Sequence, residues 1–132
     1  MQIIDKLAWL YVKDRKVLFV RSRGKDIFYT VGGKREAGES DEQALIREVR
    51  EEVGVAVLPQ TIKYLNTFTD KAHGKEGEIL VKLTCYAADF TGAIAPASEI
   101  EELAWLDSRR VEKTSPTGTL VIHWLKEKGL ID

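Results

Sequence analysis

One cysteine, two histidines and three prolines are all that 132 residues hold of the types that most often staple a chain, bind soft metals or interrupt regular structure. Cys85 has no partner for an internal disulfide, and with His73 and His123 it makes no zinc-type ligand set, so any bound metal has to be held by oxygen. Charge of one sign is also missing. Twenty Lys and Arg stand against twenty-one Asp and Glu, which gives no bulk electrostatic basis for binding a nucleic acid polymer or an anionic membrane; an anionic ligand must be gripped locally. Long apolar runs are absent too. Leu7 to Val12, flanked by Asp5, Lys6 and Lys13, is too short for a signal peptide or a membrane span, and the chain is expected to be cytoplasmic. Pro59, Pro96 and Pro116 are scattered and no repeat or low-complexity linker divides the sequence, so residues 1–132, 44% apolar, are expected to form one domain.

The hydropathy pattern alternates between strand and helix periods. Lys6 to Val12 and Lys16 to Arg23, separated by Lys13, Asp14 and Arg15, predict a hairpin, and Ile27 to Val31 a third strand. Between Ser40 and Val53 the period becomes helical, with a capping box of Ser40 and Gln43 in front and Gly54 as a left-handed stop. Val55–Leu58, Ile62–Asp70, Ile79–Asp89 and Leu103–Asp107 read as strands. A closing helix from Pro116 to Lys128 starts at Ser115, ends at Gly129 and turns Leu120, Val121, Trp124 and Leu125 inward. The polar loop Lys71 to Gly77 suits a flap, with His73 able to touch phosphate.

Chemistry concentrates between Gly32 and Val55. On a helical wheel Glu48, Glu51 and Glu52 share roughly a third of the circumference, beside the apolar stripe of Leu45, Ile46, Val49 and Val53. Taken alone, such a run is most simply a solvated charged face. Gly32 and Gly33, which allow a close backbone approach, and the bend at Gly38 lead straight into it. Carboxylates gathered at the rim of a core repel one another, and a hard divalent cation with oxygen ligands offsets that repulsion.

From Gly33 the chain reads Gly, five residues, Glu39, seven residues, Arg47, Glu48, Val49, one residue, Glu51, Glu52, one residue, Gly54, Val55. This resembles the Nudix box, G-x5-E-x7-R-E-U-x-E-E-x-G-U, at every fixed position. One departure is Val31, where many members have proline. The resemblance implies an α/β (α+β) fold of the MutT-like type, an α/β/α sandwich with a mixed sheet between helices. It implies divalent-metal-dependent hydrolysis of the pyrophosphate linkage in a nucleoside diphosphate joined to another moiety, with nucleotide sanitising foremost; a noncatalytic nucleotide-binding regulatory domain is the alternative. Mg2+ is the implied ion, with Mn2+ possible. By the same resemblance Glu51, Glu52 and the carbonyl of Gly32 hold the metal, Glu48 is a ligand or base, Arg47 orients the carboxylates, and Glu39 ties to Arg47 or to a second metal. Glu99 is the implied distant ligand or base, ahead of Glu101 and Glu102. Substrate-binding candidates are Arg21, Arg23, Gly33 and Lys34 for phosphates, and Phe28 and Trp105, with Tyr29 and Phe68, for stacking. The expected partner is a small nucleotide, and the expected state a monomer or homodimer.

Overall fold

In the computed structural model, which describes residues 2–72 and 78–132, the elements run β1 (Gln2–Trp9), β2 (Val12–Lys13), β3 (Lys16–Ser22), β4 (Tyr29–Gly33), α1 (Asp41–Val53), β5 (Ala56–Val57), β6 (Lys63–Lys71), β7 (Ile79–Ala87), β8 (Phe90–Thr91), β9 (Ile100–Leu106) and α2 (Pro116–Glu127), with a 3-10 turn at Pro59–Thr61. Most of the expected loop 71–77, His73 included, lies outside the described residues.

Seven strands make one mixed sheet in the order β2-β3-β4-β1-β7-β6, with β9 also paired to β3. The β1–β7 pair is parallel and the others are antiparallel. Strand alternation explains the layers. Leu7 and Trp9 of β1, Leu18 and Val20 of β3 and Val31 of β4 pack with Ala44, Leu45, Val49 and Val53 of α1. Ala8, Val17, Phe19, Leu83 and Cys85 pack with Val121, Ile122 and Leu125 of α2. The sheet therefore lies between two helices, as the resemblance implies. Trp9 is fully buried, and its indole N–H donates to the Ala88 carbonyl at 3.1 Å, so no polar cost remains at that site.

Several boundaries differ from the sequence expectation. The first strand begins at Gln2 and breaks after Trp9, because its parallel partner β7 pairs it from Gln2 through Trp9. The hairpin turn closes on Asp14 and Arg15, both at positive φ (52° and 61°). The third strand is Tyr29–Gly33 rather than Ile27–Val31, since Gly32 and Gly33 pair with Ala8 and Leu7. Val55–Leu58 shrinks to Ala56–Val57, paired with the unforeseen β8 in a separate ribbon. β9 starts at Ile100 and ends at Leu106. In α2, Ile122 is buried while Leu120 and Trp124 are only partly so.

Helix α1 matches its signals. Ser40 Oγ accepts from the Gln43 N–H, the Gln43 side chain accepts from the Ser40 N–H, and Gly54 takes the left-handed conformation at φ 73°.

Gly32 carries the tightest constraint. Its φ is 145°, and a Cβ there would sit 2.0 Å from the Leu7 carbonyl oxygen. Gly32→Ala is expected to destabilise the fold by about 3 kcal/mol or more, combining backbone strain with a clash that only parting β4 from β1 relieves. Urea unfolding of the variant against the wild type measures it.

Candidate active site

The end of β4, the loop of residues 34–40 and helix α1 meet around one guanidinium. Arg47 Nε and Nη2 donate to the two carboxylate oxygens of Glu39 at 2.7 and 2.9 Å. Nη2 also donates to the Lys34 carbonyl at 2.9 Å. Nη1 donates to Glu48 at 2.7 Å and reaches both Glu51 oxygens at 3.4 Å. A forked cation that spans three carboxylates fixes the loop to the helix in a way a lysine cannot. The Arg47 hydrogen bonds hold the Glu39 carboxyl down to about 2, helped by the Glu36 N–H, and the carboxylates raise the Arg47 pKa in turn. A second arginine anchors the same loop: Arg35 bridges Asp5 (2.6 Å) and Asp41 (2.7 Å), and the Tyr86 hydroxyl donates to Asp41.

Glu48 and Glu52 face the opposite situation. Glu48 lies against Gly33, where a Cβ would fall 1.7 Å from its Oε2, and burial raises its pKa despite Arg47. Glu52 accepts one hydrogen bond, from the Gly32 N–H at 2.8 Å. Burial pushes its carboxyl up to about 8, the Gly32 N–H pulls it down, and the charges of Glu48 and Glu99 push it further up. The loop carrying Glu99 is held to the end of α1, because Ala95 N–H donates to the Val53 carbonyl and Ala97 N–H to that of Glu52. Arg23 secures the loop from the other side, its guanidinium donating to the Ser98 carbonyl and its N–H to that of Glu99.

Glu52, Gly32 and Gly33 open onto a cleft of about 210 Å³, lined also by Lys6, Ser22 and Tyr29. Ser115 and Thr117 line it too, where α2 begins with the Gly118 N–H bonded to Ser115 Oγ. Lys6, Ser22, Ser115 and Thr117 escaped the sequence reading. A charged pair, Asp5–Lys6, inside a central strand was the available signal, because an interior strand seldom carries charge without a use for it.

Other sequence candidates sit elsewhere. Arg21 is not at this cleft: it pairs across β3–β9 with Glu102 at 3.0 Å and touches Glu101. It lines a neighbouring hollow of about 450 Å³ with Phe28. Strand alternation accounts for that placement: Val20 and Ser22 line the cleft, and Arg21 between them, paired with Glu102, faces the other way. Trp105 packs edge-on to Tyr11 on the α1 side of the sheet, and Phe68 packs on Trp124; neither lines the cleft.

The donor set can be tested for a metal on its chemistry. Burial raises the pKa of both Glu52 and Glu48, the latter even beside Arg47, and every candidate donor is oxygen, which fits a hard divalent cation. Among the described residues no three acidic side chains already converge as a ligand set, because Arg47 occupies Glu48 and Glu51, and Gly32 occupies Glu52. Glu51, half exposed at 49%, lies one turn from Glu48 and is free to turn toward it. The residues fit the ion, with side-chain rotation.

Comparison with known proteins places this arrangement. The NUDIX domain family model matches residues 5–125. An uncharacterized Nudix hydrolase of Bacillus subtilis, YvcI, is 30% identical over 125 residues, covering 89% of this chain and 77% of its own. The CTP pyrophosphohydrolase of Escherichia coli is 30% identical over 112 residues, covering 80% and 76%. The crystal structure of a MutT NUDIX hydrolase from Burkholderia pseudomallei superposes with a TM-score of 0.76 at 18% identity, covering 93% of this chain and 98% of its own. The chain belongs to the Nudix hydrolase family, whose members act on pyrophosphate bonds.

Proposed function

We propose that this protein hydrolyses, with a divalent metal, the pyrophosphate linkage of a nucleoside diphosphate joined to a further group, nucleoside triphosphates and their oxidised forms first. The observation that carries the reading is the pair of carboxylates whose pKa burial raises, Glu48 and Glu52, packed against the backbone of Gly33 and Gly32, with Glu52 lining a cleft. Nudix hydrolases use divalent metals as a family, and here Glu51, Glu52 and the Gly32 carbonyl would hold the ion, with Glu48 completing the set and Mg2+ as its identity. Bound there, the ion supplies charge neutralisation of the pyrophosphate oxygens and Lewis acidity at the departing phosphate.

The chain's own groups do the rest. Arg47 keeps Glu48 and Glu51 turned to one side, and Glu39 keeps Arg47 in place. Water attacks phosphorus, the P–O bond to the leaving phosphate breaks, and the proton given up by water passes to Glu99, which shares the field of Glu52; Glu48 is the second candidate for that proton. Arg23 holds the Glu99 loop. The backbone of Gly33 and Lys34 borders the phosphate path.

Incubating the protein with Mg2+ and a panel of nucleoside triphosphates, ADP-ribose and dinucleoside polyphosphates is expected to release phosphate, pyrophosphate or nucleoside monophosphate, and EDTA to stop it. Tight nucleotide binding with no turnover on any member of the panel would replace this reading with a noncatalytic nucleotide-binding domain.

A further inference from the structure

We propose that Lys6 grips phosphoryl oxygens of the substrate, so that a strand residue outside the glycine loop and its helix takes part in cleavage; the inference rests on the function proposed above. Lys6 sits in β1, the strand between β4 and β7, and its side chain lines the cleft with Glu52, Gly32 and Gly33. Keeping an ammonium in the middle of a sheet is costly unless something pairs with it. The arginines of this region are paired: Arg35 with Asp5 and Asp41, Arg47 with Glu39 and Glu48. Among the described residues Lys6 Nζ has no carboxylate within 4 Å and no hydrogen-bond acceptor; its close contact is the Tyr29 ring, 5.2 Å from Nζ to the centroid. Tyr29 lines the same cleft, so a cation–π contact holds the ammonium at the cavity while leaving its N–H donors open.

An open donor with no acceptor calls for an anionic oxygen. Of the ligand's parts, the phosphates suit this place best: the charges Lys6 feels are those of Glu52, Lys34 and Glu48, the end of the cleft where the pyrophosphate has to lie if those carboxylates carry the ion. A base carbonyl could also accept from Lys6, and the test separates the two.

Lys6→Met and Lys6→Arg are compared with the wild type on the four nucleoside triphosphates, and by calorimetry with Mg2+ alone and with methylenebisphosphonate plus Mg2+. The methionine variant is expected to lose about 30- to 100-fold in kcat/KM by the same factor on every base. It should bind the bisphosphonate about tenfold more weakly and Mg2+ alone no worse; arginine should recover most of the loss. A loss confined to some bases, a kcat/KM within threefold of wild type, or unchanged bisphosphonate binding would overturn the assignment. Lys6→Gln serves if the methionine variant does not fold. If the wild type turns over nothing, the proposed function fails while the bisphosphonate measurement still decides whether Lys6 holds phosphoryl oxygens.

Discussion

Glu52→Gln is expected to make the metal-free protein more stable at pH 8 to 9 while reducing turnover by at least about a thousandfold. The Glu52 carboxyl has an ordinary value near 4.5 in the unfolded chain and is pushed up to about 8 by burial in the fold. Below about 4.5 both states hold the proton, and the residue does not affect stability. Between 4.5 and 8 the unfolded chain releases the proton first, so folding stability falls as pH rises, by up to about 1.4 kcal/mol per pH unit from this group, and levels off above 8. Glutamine keeps an oxygen for the Gly32 N–H and never ionises. The difference between variant and wild type should thus be absent near pH 4.5, widen through neutrality and be largest above pH 8, as read from urea midpoints in EDTA. The same proton governs ion uptake. Wild-type affinity for Mg2+ should strengthen by up to about tenfold per pH unit between 6 and 8, because the ligand must be deprotonated. A variant that is both more stable and inactive would mark Glu52 as retained for chemistry at the expense of folding; a pH-independent difference would show that its burial is tolerated by other means.

Arg47→Ala is expected to lower stability by about 2 to 4 kcal/mol, a fall in Tm on the order of 10 °C for a chain of this size, and to cost more than a hundredfold in activity. The change strands three carboxylates and the Lys34 carbonyl at once. Arg47→Lys restores a charge but not the two-oxygen grip on Glu39, so it should recover part of the stability and little of the rate. Acid offers a check on the cause. Glu39, held down to about 2 by Arg47, stabilises the fold above its unfolded value near 4.5 and loses that contribution as pH falls through 2. The gap between wild type and Arg47→Ala should therefore narrow between pH 5 and pH 2. A gap of constant size would assign the loss to packing of the arginine stem.

Local signals were legible, and non-local ones were not. Ser40, Gln43 and Gly54 fixed both ends of α1 because capping chemistry acts within four residues, and the spacing of Glu48, Glu51 and Glu52 followed from helical geometry alone. β8 and its partner β5 are two residues each, too short to carry a period, and exist only because distant segments meet. Where Arg21 and Trp105 lie depends on which strand pairs with β3: Arg21 meets Glu102 of β9, and Trp105, itself on β9, lies opposite Leu18. Lys6 opens the strand expected from the sequence and Asp5 flanks it, yet the sheet continues past both to Gln2, so what the sequence offers as a strand start is the interior of a strand. Ser115 was legible as a helix cap but not as a cleft residue, since that required knowing where α2 begins relative to β1.

Glu52 joins three stretches of chain at one residue: its carboxylate takes the Gly32 N–H, its carbonyl takes the Ala97 N–H, and its helix carries Glu48 and Glu51. Such a knot leaves little room for drift among those stretches, because slack introduced in any one is transmitted to the other two. The turn around Lys25 shares none of these bonds, so a substitution there leaves the knot intact.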